Sequence, residues 1–286
     1  MSIVFRLGVF VAGLVAVFAA AVGVGRATGP VGPIGPAEPA RHVAHAAAAH
    51  DHAAGDELPG GLATSQDGYT LVLDQTTYRP GTRELAFRVE DDAGRPVTDY
   101  DVKHDKLLHL VVVRRDFSGF QHVHPTLDAT GTWRVPVDLT PGAWRVLADF
   151  VPAGADGVVL GADVAVPGPT DPAPRTPPTR SATVDDYTVT LGSDLVAGEH
   201  SMLTLTVAQD GRPVIDLQPY LGAYGHLVAL REGDLAYLHV HPEDGPAGPA
   251  LEFGAEVPSA GRYHLYLDFE HDGVVRTAAF TTEASR

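Results

Sequence analysis

The 286-residue chain reads as an all-β protein built from two tandem domains, and three observations carry that expectation. The sequence repeats itself once from Asp67 onward, apolar residues within each copy recur with period 2, and a Pro-rich stretch lies between the copies. The first copy begins DGYTLVL at Asp67 and the second DDYTVTL at Asp185; AGRPV at 93–97 returns as DGRPV at 210–214. HLVVVRRDFSGFQHVHP at 109–125 returns as HLVALREGDLAYLHVHP at 226–242, an offset of 117 residues that becomes 119 at Gly142/Gly261 and Asp149/Asp268. A unit of roughly 100 residues is too long for a solenoid repeat and fits a whole domain.

The elements follow in chain order. Residues 7–25 carry no polar side chain, and these 19 residues make about 28 Å of helix, enough to cross the hydrocarbon core. Residues 1–26 are therefore expected to form a single transmembrane anchor that leaves the rest of the chain outside the cytoplasm. Cleavage after Ala27 would release a secreted form instead. Residues 27–61 are rich in Pro, Gly and Ala and too poor in large apolar groups to fold, so they read as a flexible linker. His42, His45, His50 and His52 give that linker a weak capacity to recruit metal.

Residues 62–166 and 182–286 form the two domains, each with about seven short strands such as ELAFRV, TWRVPVDL and AWRVLADF separated by Gly, Pro and Asp clusters. That density of strands predicts an immunoglobulin-like β-sandwich. Trp133, Trp144, Val146 and Phe150 are core candidates in the first domain; Leu203, Leu205, Val207, Leu265, Leu267 and Phe269 are their counterparts in the second. Period 2 puts Asp149 on the opposite face from Phe150. Residues 167–181 form the linker between them, and six Pro in 167–180 predict a stiff spacer that separates the domains by up to roughly 40 Å.

Composition narrows the chemistry. A balance of 20 Lys and Arg against 36 Asp and Glu, net charge -16, argues against nucleic acid. With no Cys there are no disulfides, thiolate metal sites or iron–sulfur clusters, and with two Met there is no thioether site for Cu(I). The 14 His are the remaining lead.

Each copy holds His-x12-His-x-His: His109, His122 and His124, then His226, His239 and His241. Residues at i and i+2 of a strand share a face. The first His opens the preceding strand, so the hairpin gathers three imidazoles. In the second copy a turn centred on Glu232-Gly233 sets His226 opposite His239, and a slip of two residues sets it opposite His241. Asp149 and Asp268 recur at matching places and are candidate fourth ligands, as is water. Neutral imidazoles suit Cu(II) first and Zn(II) second. His104, His200, His264 and His271 lack counterparts and read as surface or strand residues.

The segments HLVVVRRDFSGFQHVHP, HLVALREGDLAYLHVHP, PGAWRVLADF and AGRYHLYLDF resemble exported or membrane-anchored bacterial β-sandwich proteins related to YtkA-like domains, which are associated with heavy metals and copper. The resemblance covers about residues 65–282. It implies an immunoglobulin-like domain outside the membrane in copper handling, and by motif reaches His109, His122, His124, His226, His239 and His241.

The expected function is a membrane-tethered, non-enzymatic metal-binding protein. It would buffer or deliver Cu(II) through one three-His site per domain, with a protein partner to receive the ion. The alternative is a tandem interaction module with incidental histidines. A metal-dependent enzyme is the third reading; against it, the only candidate base beside each His set is Asp149 or Asp268, and no nucleophile motif or phosphate loop is present.

Overall fold

Alternating burial along the strands shows how the chain closes. Thr132–Leu139, TWRVPVDL, turns Trp133, Val135, Val137 and Leu139 inward and its other residues from Arg134 on outward. The computed structural model describes residues 58–238 and 240–286. Every regular element among them is a strand, and no helix there is long and apolar enough to cross a membrane. The anchor expected at 1–26, nearly all of the 27–61 linker with its four histidines, and His239 lie outside the described residues.

In the first repeat one sheet runs Ser65–Gln66, Tyr69–Leu73, Gly81–Asp91, Thr132–Leu139, Thr126–Leu127. The other runs Val158–Val166, Gly142–Pro152, Leu108–Arg114, Gln121–Val123, with Tyr100–Asp101 also paired to Gly142–Pro152. Gly81–Asp91 lies beside Thr132–Leu139 and Leu108–Arg114 beside Gly142–Pro152, so sequence neighbours are split between sheets. That Greek-key order is the immunoglobulin-like sandwich.

The second repeat follows the same plan. Ser181–Val184, Tyr187–Leu191, His200–Gln209, Ala250–Glu256 and Val240–Pro242 form one sheet; Leu195–Val196, Val274–Ser285, Gly261–His271 and His226–Arg231 form the other. Leu195–Val196 runs parallel to Val274–Ser285. The core residues expected from the sequence are all buried: Trp133, Trp144, Val146 and Phe150 in the first sandwich, Leu203, Leu205, Val207, Leu265, Leu267 and Phe269 in the second.

The expected separation of the domains by a Pro-rich spacer is not what the chain adopts. Residues 54–286 form one compact unit. Val111, Val113 and Leu147, on the outer face of the first sandwich, are buried together with Val228, Leu230, Leu235 and Tyr266 of the second. Val111 matches Val228, Val113 matches Leu230 and Leu147 matches Tyr266 in the repeat, so equivalent faces meet, as in an isologous dimer. The Tyr266 hydroxyl donates to the Phe117 carbonyl at 2.8 Å, and Phe120 stacks on the Tyr266 ring with centroids 3.8 Å apart. Arg175 of the spacer pairs with Glu232, and Ala173 N–H donates to Asp116, so the middle of the spacer is fastened to both domains. Burial of an apolar face that would otherwise meet water outweighs the stiffness of the spacer.

Candidate metal centre

The first histidine is placed by a strand buried on both sides. In Leu108–Arg114 the residues Leu108, Leu110 and Val112 enter the sandwich core, while His109, Val111 and Val113 face the second domain. Gln121–Val123 pairs back on this strand with Leu110 opposite Val123 and Val111 opposite His122. Continuing the register one residue sets His124 opposite His109.

The three imidazoles converge. His109 Nδ1 lies 3.1 Å from His122 Nε2 and 3.2 Å from His124 Nε2, and the ring centroids are 5.3, 5.0 and 5.0 Å apart. His109 is buried, and His122 and His124 are half-buried.

The outward nitrogens decide the tautomers. His109 Nε2 lies 2.9 Å from the Lys103 carbonyl, which can only accept, so Nε2 carries the proton and Nδ1 the lone pair. His122 Nδ1 lies 2.8 Å from Asp268 Oδ2, and Asp268 Oδ1 accepts from the Thr277 hydroxyl at 2.5 Å. A carboxylate so placed accepts a hydrogen bond from Nδ1–H, which directs Nε2 inward. With one proton on each ring, the lone pairs of His109 Nδ1 and His122 Nε2 face each other across 3.1 Å. A cation between the two nitrogens would be bound by both.

Electrostatics keep His109 and His124 neutral. Burial pushes His109 down to about 4, against the raising effect of the Lys103 carbonyl, and the neighbouring His122 lowers it further. Burial pushes His124 down to about 3, with His122 and His109 acting in the same direction. At neutral pH each of these two imidazoles carries a single proton and keeps a lone pair on its other nitrogen.

The other residues singled out from the sequence fall as follows. Asp268, on Gly261–His271, orients His122 from the opposite domain. Asp149, its counterpart, is held by Lys103 Nζ at 3.1 and 3.2 Å. His226 is buried and donates from Nε2 to the Tyr220 carbonyl at 2.8 Å, the same pattern as His109 and Lys103. Burial lowers its pKa as well. Its ring lies 6.3 Å from that of His109 and 6.5 Å from that of His122.

In the second repeat Leu230 pairs with Tyr237, which is the slipped register of the two expected. The chain then crosses to the other sheet, where exposed His241 on Val240–Pro242 pairs with Gly254. The sequence did not point to Lys103, Tyr220, Thr277 or His104. His104 lies with its ring 5.2 Å from that of His226 and 6.0 Å from that of His109, and burial pushes it down to about 4. The one signal available was that Lys103 and Tyr220 precede their histidines by six residues in both copies.

No curated protein matches the chain in sequence. Among solved structures, the adhesin FdeC of Escherichia coli is similar at 12% identity over 81% of this chain and 66% of its own, with a TM-score of 0.26. The adhesin InvE of Yersinia pseudotuberculosis is similar at 14% identity over 75% of this chain and 58% of its own, with a TM-score of 0.23. The chain thus spans less than two thirds of either, and at these scores neither likeness carries a function across. The two-fold repeat is matched twice by one family model, over residues 63–166 and 182–286, and the chain belongs to the family described as Domain of unknown function (DUF8832).

Proposed function

We propose that this protein binds a divalent transition-metal ion at His109, His122 and His124, Cu(II) in preference to Zn(II), as a non-enzymatic carrier or buffer. The carrying observation is the convergence of three ring nitrogens, with His109 Nδ1 lying 3.1 Å from His122 Nε2 and 3.2 Å from His124 Nε2. Metal–imidazole bonds of about 2.0–2.1 Å at a tetrahedral angle put ligand nitrogens about 3.3 Å apart and ring centroids about 5.2 Å apart. The observed nitrogen distances are 3.1 and 3.2 Å, and the centroid distances 5.0–5.3 Å. An all-imidazole set favours Cu(II) over Zn(II) by affinity order, while the tetrahedral spacing by itself suits Zn(II); an ion held at the surface of an exported domain would be Cu(II) rather than Cu(I).

Binding rather than catalysis is favoured by the fate of the two carboxylates. Asp268 is engaged at both oxygens and Asp149 is paired with Lys103, so neither is available to take a proton from a bound water. In this reading residues 7–25 tether the protein to the outer face of the membrane, and a protein partner receives the ion. Titration of the full chain with Cu(II) and Zn(II) after chelator treatment tests it. Binding that disappears in the His109→Ala, His122→Ala, His124→Ala triple variant supports the reading, and wild-type binding no stronger than the variant's sinks it.

A second reading has its own observation. The His122–Asp268 contact fastens one sandwich to the other, as a polar pin in a tandem immunoglobulin-like interaction module would. In that case a partner complex would withstand chelators.

A further inference from the structure

The three-His cluster lies where the two domains meet, and the second domain already supplies one of its working parts. Resting on the metal-binding reading above, we infer that the chain holds one ion between its domains rather than one in each. His226 of the second domain completes the set begun by His109, His122 and His124, and Asp268 acts as a positioning residue for His122.

The tautomer of His226 is set as that of His109 is. Its Nε2–H is spent on the Tyr220 carbonyl at 2.8 Å, so Nδ1 keeps its lone pair. The His226 ring stands 6.3 Å from His109 and 6.5 Å from His122, against 5.0–5.3 Å within the triad. Four imidazoles around a tetrahedral ion need about 5.2 Å between centroids. A movement of about 1 Å brings His226 into place, a scale that side-chain torsions supply. Asp149 does not compete for the position, because Lys103 holds it at 3.1 Å.

Among the described residues, which do not include His239, no three ligands of the second repeat come together. Among the described residues the His109, His122, His124 group is the set of three ligands close enough to share an ion, and His241 is exposed on the opposite sheet. The repeats differ beside the site. Lys103 occupies the position of Tyr220, and its charge pairs with Asp149.

Ligands from both domains make binding and docking one equilibrium. Loading the site therefore tightens the interface of Val111, Val113, Val228, Leu230 and Tyr266, and separating the domains releases the ion.

The test uses the full chain, its Asp268→Asn variant and its His226→Gln variant, each first shown to keep the wild-type strand content. Calorimetric titration with Cu(II) and with Zn(II) gives stoichiometry and affinity. Backbone hydrogen exchange with and without Zn(II) reports on residues 226–231. The paramagnetic resonance spectrum of the Cu(II) form reports its nitrogen ligands. The expected results are one ion per chain and slowed exchange at 226–231 on loading. Affinity should fall by about 10–100-fold in Asp268→Asn. One nitrogen coupling should be lost in His226→Gln. A second tight ion that is lost in His241→Ala overturns the inference. So does a single ion with wild-type affinity in both variants and unchanged exchange at 226–231, an outcome that leaves a first-domain metal site standing. No binding by the wild type overturns both readings together.

Discussion

His122 donates its Nδ1–H to Asp268 Oδ2 at 2.8 Å, although the two residues belong to different repeats and stand 146 positions apart. Within its own repeat the carboxylate matching Asp268 is Asp149, which Lys103 has claimed. The histidine cluster of the first domain is thus oriented by the second.

Metal should stabilise the fold. Zn(II) at about 100 times its Kd adds about 2.7 kcal/mol to the unfolding free energy. That corresponds to a rise in Tm of roughly 5–10 °C for a chain of this size. A thermal scan with Zn(II), repeated after addition of chelator, should show the gain and its reversal. In His124→Ala the gain should vanish; a rise of equal size there would place the ion elsewhere.

Acid should destabilise the metal-free protein before carboxylates titrate. Burial lowers His104 and His109 to about 4 and His124 to about 3, from an ordinary value of 6.5. Below pH 6.5 the unfolded chain takes up protons that these folded side chains refuse. Their contribution is complete above pH 6.5 and is lost progressively as pH falls towards 4 and then 3. Tm measured in chelator should decline from pH 6.5 to 4.5, and the decline should be shallower in the His109→Ala, His124→Ala double variant. A flat Tm over that window would contradict the buried, neutral cluster.

Tyr266→Phe keeps the stack on Phe120 and removes the hydrogen bond to the Phe117 carbonyl at 2.8 Å. The cost should be about 1 kcal/mol, read from urea unfolding. Hydrogen exchange should quicken around 117–120 while the strand Tyr69–Leu73 stays as before. No change at 117–120 would show that the two domains separate there without this contact.

Gly161→Ala should loosen the segment that enters the first domain. A Cβ at this position would lie 2.1 Å from the Gly61 carbonyl oxygen and 2.6 and 2.8 Å from nitrogens of the Arg145 guanidinium. Arg145 is buried and donates to the carbonyls of Gly61 and Leu62. Crowding of this kind costs about 1–3 kcal/mol. Limited proteolysis should cut near Leu62 faster than in the wild type; unchanged cutting would mean that Arg145 regrips the segment elsewhere.

The sandwiches were legible because each buries one face of each strand. Trp133, Val135 and Val137 alternate with exposed residues, and the repeat announces the second domain independently. The docking was partly legible as well. The strand Leu108–Arg114 and its counterpart His226–Arg231 are buried at every position before the terminal Arg. Val111, Val113, Val228 and Leu230 are more apolar surface than either sandwich needs for its own core. An unbroken apolar run in an antiparallel sheet marks a strand covered on both faces.

Period, spacing and composition therefore determined the class of fold, the duplication and the residue type of the candidate site, because each is a property of neighbours along one chain segment. The choice of partner for each histidine belonged to the tertiary structure. Sequence symmetry offers Asp149 and Asp268 as equals, and two equivalent sites follow from it. Docking of the two outer faces sets Asp268 against His122, while a lysine standing where the second repeat has tyrosine binds Asp149. The reason is one of range: hydrogen bonds and ion pairs act over a few ångströms, and only packing decides which groups separated by more than a hundred residues come that close.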